Sequence, residues 1–153
     1  MRTRDGYAMS TDPADLDLDR VHQWLSVESY WATGRAREVT ERAFAGSRVW
    51  SVLHDGEHVA VTRVVTDGAT FAWVCDVFVA EEHRGRGLGQ WMVAEAVADL
   101  RAEGVQRFLL GTRDAHEVYA RVGFEPLAGP QRFMEIDDRP TRAAILAAVG
   151  AAG

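Results

Sequence analysis

The sequence predicts a single α/β domain, and three observations carry that prediction. Two Asp-Gly pairs, Asp55-Gly56 and Asp67-Gly68, separate the strand-like runs RVWSVLH, EHVAVTRVVT and ATFAWVCDVFV. Asp-Gly between apolar runs marks tight hairpins, because a type I′ turn holds both central residues at positive φ. The third run then leads through EEHRGRGLGQ into a long stretch with Met92, Val93, Ala96, Val97 and Leu100 at helical spacing. At 153 residues the chain is long enough to bury a sizeable core.

Taken in order, residues 7–10 read as a short first strand. From Asp17, LDLDRVHQWLSVESYW sets Leu18, Val21, Trp24, Leu25 and Val27 on one helical face, with Asp17 or Asp19 as the cap. Gly34 breaks the chain, and REVTERAFAGS predicts a shorter helix ending near Gly46. The three strand-like runs form an antiparallel meander whose last strand covers residues 70–79. After the long helix, Gly104 is a natural C-terminal cap. RFLLGT reads as a buried strand, HEVYARVGF as a short helix stopped by Gly123, and RFMEI as a last strand. The domain is expected over residues 1–136, and the Ala-rich tail 137–153, after the break at Asp137-Asp138-Arg139-Pro140, is a short helix or frayed.

Composition narrows the function. The hydrophobic and charged fractions, 47% and 26%, are those of an ordinary soluble protein, and no segment is apolar for long enough to span a bilayer as a helix. The opening MRTRDGYAMSTD lacks the apolar core of a secretory signal, and the lone Cys75 fits a reducing compartment, so a cytoplasmic protein with no membrane partner is expected. A net charge of -6 argues against nucleic acid as a partner. All 17 basic side chains other than histidine are arginine, which removes Schiff-base and P-loop lysines.

A strand–glycine turn–helix unit presents free backbone N–H groups where the helix dipole favours an anion, and Arg84 and Arg86 add positive charge to that turn. A Walker A loop needs lysine. A dinucleotide fingerprint would put a third small residue at position 92, which is Met92, and an acidic residue after the next strand, which ends FLLGT. The remaining reading rests on two motifs. Arg84-Gly85-Arg86-Gly87-Leu88-Gly89 matches the R/Q-x-x-G-x-G/A signature of the GNAT family of N-acetyltransferases, and HEVYARVGF is similar to that family's late Tyr-x-x-x-Gly-Phe segment. The element order from about residue 7 to residue 136 resembles the same family.

The resemblance implies the GNAT fold: a mixed, mostly antiparallel sheet of six to seven strands, about four helices, and a splay that admits acetyl-coenzyme A as co-substrate. It implies that the amides of Gly85, Arg86, Gly87, Leu88, Gly89 and Gln90, beside Arg84, cradle the pyrophosphate. The pantetheine arm would pair with the main chain of the Val77-Phe78-Val79 edge, opposite a neighbouring strand over residues 107–112. Tyr119 matches the tyrosine beside the coenzyme sulfur, where a hydroxyl stabilises the departing thiolate. Thr112 stands where the family often has asparagine and offers a hydrogen bond to the pantetheine.

The implied reaction is N-acetylation of a small-molecule amine, cationic or aromatic, without a covalent enzyme intermediate. With a reference pKa of roughly 10.4, only about one alkylamine molecule in a thousand is neutral at pH 7, so a proton must leave before attack. Asp76, a charge inside the apolar run WVCDVFV, is the first candidate for that base and for an acceptor contact; a strand bulge bonded to nearby backbone is the competing account. His22, Glu28, Glu81, Glu82 and His116 rank below it. Tyr30 and Trp31, near the Gly34 break, are the expected acceptor wall, with Trp24 in the core. His54 and His58 bracket the first hairpin and read as exposed turn residues, so no metal is expected. Two alternatives stay open: a coenzyme-binding sensor without turnover, and acetylation of a protein N-terminus or lysine. Homodimerisation is compatible with the fold.

Overall fold

The computed structural model describes residues 1–152. Six strands lie side by side in chain order: β1 (Arg2–Arg4), β2 (Tyr7–Ser10), β3 (Arg48–His54), β4 (Glu57–Thr66), β5 (Ala72–Val79) and β6 (Phe108–Leu110). All neighbours are antiparallel except β5 and β6. The helices are α1 (Leu18–Gln23), α2 (Arg37–Ala45), α3 (Leu88–Ala102), α4 (His116–Ala120) and α5 (Arg142–Ala152).

The Asp55-Gly56 turn has the expected backbone, with φ of 50° and 82°. Asp5-Gly6 repeats it at 50° and 84° and creates the β1–β2 hairpin, which adds a strand before the expected first one. Asp67-Gly68 differs: only Gly68 has positive φ, and the Asp67 carboxylate accepts N–H bonds from Ala69 and Thr70 at 2.9 and 2.8 Å. That loop is organised by a side chain rather than by a two-residue turn.

Asp17, not Asp19, caps α1, accepting from the Arg20 amide at 3.0 Å. The helix then widens into a π turn over Trp24–Glu28. The extra residue in that turn rotates Val27 out of the apolar face, leaving it 61% exposed. His58 is also a correction: it is buried against Trp24, and burial pushes its imidazole pKa down.

The sheet separates two cores. Trp50, Val64, Val74, Met92, Val93 and Leu100 pack under α3 on one face. Val21, Leu25, Phe44, Val61 and Phe78 pack under α1 and α2 on the other. Between Val61 and Arg63 the β4–β5 register slips, so Asp76 and Val77 together face Thr62. This bulge, with Asp76 at φ 45°, inverts the alternation of β5. Val74 points to the α3 core, whereas Phe78 joins the α1 core.

Beside β5, β6 pairs only through Ala72–Phe108, Trp73–Leu109 and Val74–Leu110. From Cys75 to Val79 that edge of β5 is open, so the sheet splays where the bulge lies. The expected last strand RFMEI is absent. Gly129-Pro130 starts a 3-10 turn through Arg132, and Phe133 lies beneath the Arg107 guanidinium at 5.1 Å. Met134 is 99% exposed and no strand pairs beyond β6 among the described residues, so the sheet has six strands.

Candidate active site

Two sets of groups meet at the splay. The first is made of backbone. After β5 the chain makes a 3-10 turn (Glu81–His83) and enters α3 through Gly85 and Gly87, at φ 75° and 71°. Glycine adopts those angles without the strain another residue would carry. The amides of residues 87–90, at the start of α3, have no hydrogen-bond partner among the described residues; the first to bond within the helix is Trp91, to the Gly87 carbonyl at 3.0 Å. At Gly89 a Cβ would meet Val77 and Val79 at 3.7 and 3.8 Å, ordinary van der Waals contact, so α3 lies against the open edge of β5 and a small side chain would fit there.

Three arginines frame this turn in different ways. Arg84 folds back, its Nε donating to the Val79 carbonyl at 2.9 Å and its guanidinium lying 5.3 Å from the Phe78 ring. Arg84 thus engages one of the main-chain groups expected to meet pantetheine, while Val77 stays open. Arg86 contributes its carbonyl, which accepts from Arg4 Nη2 at 2.6 Å. Arg4 comes from β1 and also lies over Trp91 at 5.4 Å. A Cβ on Gly87 would come within 3.2 Å of Arg4 Nη2, so the N-terminal hairpin braces the turn directly.

The second set is made of side chains around Asp76. Its carboxylate is 1% exposed and accepts four hydrogen bonds. Oδ1 receives Trp31 Nε1 at 2.8 Å and Arg35 Nη2 at 3.3 Å; Oδ2 receives Arg35 Nη1 at 3.0 Å and Arg63 Nε at 2.7 Å. Burial by itself pushes this carboxyl up, but Arg35 and Arg63 more than reverse it, holding it below the ordinary aspartate range. Arg63 also bonds Ser47 at 3.1 Å, which ties the cluster to the end of α2.

The loop before α2 delivers Trp31 and Arg35. Ser29 ends the π turn, donating to the Leu25 carbonyl at 2.7 Å and accepting from the Ala32 amide at 3.1 Å. Tyr30 and Trp31 project from this loop half-exposed, their rings edge to face at 5.0 Å, and Trp31 tilts against Phe78. From across the splay, the Arg113 guanidinium covers the Tyr30 ring at 3.7 Å, and the Arg113 amide donates to the Tyr30 hydroxyl at 3.4 Å. This contact bridges the α1–α2 loop to the β6–α4 loop.

Tyr119 lies on α4, edge to face with Phe124 at 6.2 Å. Burial, then the nearby Tyr30 and Asp114, push its hydroxyl pKa above the usual tyrosine value. The Thr112 hydroxyl accepts from the Ala115 amide at 3.0 Å and so starts the turn into α4. Among the lower-ranked candidates, His22 bonds Thr40 at 2.9 Å, joining α1 to α2. Glu28, Glu81, Glu82 and His116 are solvent-exposed. No group of three or more potential metal ligands occurs among the described residues.

Arg4, Arg35, Arg63 and Arg113 escaped the reading of the sequence. A signal existed for Arg63: it interrupts the apolar run EHVAVTRVVT as Asp76 interrupts WVCDVFV, and opposite charges in adjacent strands invite pairing. Nothing local marks the other three.

The Acetyltransferase (GNAT) family model matches residues 18–124, and the chain belongs to that family. A crystal structure of a GNAT-family protein from Xanthomonas campestris pv. campestris, provisionally described as an acetyltransferase, is 40% identical, with TM-score 0.81 over 86% of this chain and 92% of that one. A Gibberella zeae protein, likewise provisionally named an acetyltransferase, is 31% identical over 110 residues, covering 60% of this chain and 62% of that relative's length. A GNAT acetyltransferase from Elizabethkingia anophelis, solved with acetyl-coenzyme A bound, shares the fold at TM-score 0.64 and 12% identity, over 92% of this chain and 85% of that one. No described helix is long and apolar enough to cross a membrane.

Proposed function

We propose that this chain transfers an acetyl group directly from acetyl-coenzyme A to the primary amine of a small molecule. The observation that carries the reading is the set of unpartnered amides at residues 87–90, at the N-terminus of α3 and beside the open edge of β5. Free amides at a glycine-lined helix N-terminus suit a pyrophosphate. The Val77 main chain suits the amide groups of a pantetheine arm lying along the strand edge. Together they aim the thioester end of the donor, which supplies an activated acetyl group, toward the bulge.

In the transfer, the amine nitrogen forms a bond to the acetyl carbon, the carbon–sulfur bond breaks, and sulfur leaves with the electron pair. Tyr119 is the group assigned to that sulfur. Its raised pKa keeps the hydroxyl protonated at neutral pH, which makes it a hydrogen-bond donor to the thiolate rather than a source of a fully transferred proton. Asp76 organises the acceptor wall instead of acting as the base. Four donors fill the roughly four lone-pair positions a carboxylate offers, and a depressed pKa opposes proton uptake. The ammonium proton leaves through water at the mouth of the splay.

Release of free thiol from acetyl-coenzyme A across a panel of amines tests the reading. Calorimetric binding of acetyl-coenzyme A without turnover on any amine would favour a sensor. Tyr119→Phe is expected to lower kcat at least tenfold while leaving the coenzyme Kd within about twofold. An unchanged kcat would remove Tyr119 from the chemistry.

A further inference from the structure

We infer that the acceptor carries an anionic group beside its amine, a carboxylate in the first instance, and that Arg35 reads it. The inference deepens the acetyl-transfer reading and rests on it for the position of the acceptor. Asp76 sits between two guanidiniums, Arg35 and Arg63, whose side chains are only 18% and 13% exposed. The cluster therefore holds two positive charges against one negative charge in a poorly solvated place. Its only acid is saturated, so a cationic acceptor finds no acceptor atom there.

Arg35, in contrast, has capacity left. A guanidinium presents five N–H donors in a planar fork, and Asp76 is the only partner of Arg35 among the described residues, through two of them. The backbone before it is fixed: Gly34 N–H bonds the Ser26 carbonyl at 2.9 Å, and Arg35 N–H bonds the Ala32 carbonyl at 3.0 Å. The Asp76 pair further holds the fork in one orientation, as planar recognition of a carboxylate requires. Across the splay Arg113 adds a guanidinium over Tyr30, with Asp114 at 3.4 Å as its counter-charge. The buried cluster itself, Arg35 and Arg63 against Asp76, keeps one positive charge in excess although the whole chain carries -6. The half-exposed Tyr30 and Trp31 rings provide an apolar surface between these charges for the acceptor's carbon skeleton.

Matched amines test the inference: phenethylamine against phenylalanine, tyramine against tyrosine, and ethanolamine against phosphoethanolamine. Thiol release should favour the acidic member of at least one carboxylate pair by about tenfold or more in kcat/KM, the scale of one charge-assisted hydrogen bond. A preference confined to the phosphate pair would replace carboxylate by phosphate as the anion read. Arg35→Gln should collapse the ratio within the pair toward one, and Arg35→Lys should restore part of it. A merely structural Arg35 would instead lower both members equally, and that result, or equal use of both members by the wild type, overturns the inference while leaving acetyl transfer intact. Calorimetry with N-acetylphenylalanine against N-acetylphenethylamine, without coenzyme, separates the two readings. Arg35-dependent preference for the acid without any thiol release would sustain the anion site and sink the acetyltransferase assignment.

Discussion

The two sides of the splay are built from different materials. The proposed donor side is a glycine turn with free amides, braced from outside by Arg4 and Arg84. The proposed acceptor side is a network in which β4, β5 and the loop before α2 converge on one carboxylate. A backbone site tolerates side-chain change as long as its φ values survive. A side-chain network fails when any one charge is removed, because the others remain buried without it.

The sharpest way to break this contrast is Asp76→Asn. Asparagine tolerates the positive φ, so the substitution isolates the charge. Leaving Arg35 and Arg63 buried without it should cost about 3–5 kcal/mol, measured by denaturant unfolding. A loss under about 1 kcal/mol would mean that the network does not hold the acceptor wall together. The pH dependence follows from the same carboxyl. Its folded pKa is depressed, so its stabilising contribution is complete above the unfolded value of about 3.9 and is lost as pH falls through the lower folded value. The stability curve of Asp76→Asn should therefore be flatter than the wild type on the acid side only.

Gly87→Val comes next and acts on the other side. A β-branched residue at φ 71° costs roughly 1–2 kcal/mol, and its Cβ presses on Arg4. The folded variant should bind acetyl-coenzyme A more than tenfold more weakly, with stability reduced less than in Asp76→Asn. Equal affinity would move the coenzyme away from this turn. The smallest effect is expected from Arg4→Ala, which removes a brace and one exposed charge. The KM for acetyl-coenzyme A should rise about threefold, more at low salt than at high salt, with kcat unchanged.

Much of the glycine-turn side was legible as local structure because its determinants are close in sequence. The Gly85-x-Gly87-x-Gly89 spacing, the helix that follows and Tyr119 with Gly123-Phe124 are local patterns. The meander was also legible, although at Asp67-Gly68 the Asp67 side chain organises the loop in place of a two-residue type I′ turn. The last strand was misread because RFMEI has strand composition, and composition does not report that its first residue closes a 3-10 turn begun at Pro130. Asp76 was noticed as a misplaced charge, but its role depends on residues 13, 41 and 45 positions away.

By itself, then, the sequence determined the fold class and the glycine turn that opens α3, since helix period, hairpin signals and glycine φ are properties of short segments. The tertiary structure alone decided the character of the cluster around Asp76. A single extra residue in β5 chooses the face on which Asp76 lies, and only there do Trp31, Arg35 and Arg63 reach it. Charge balance is a property of that assembled cluster, and no segment of the chain contains it.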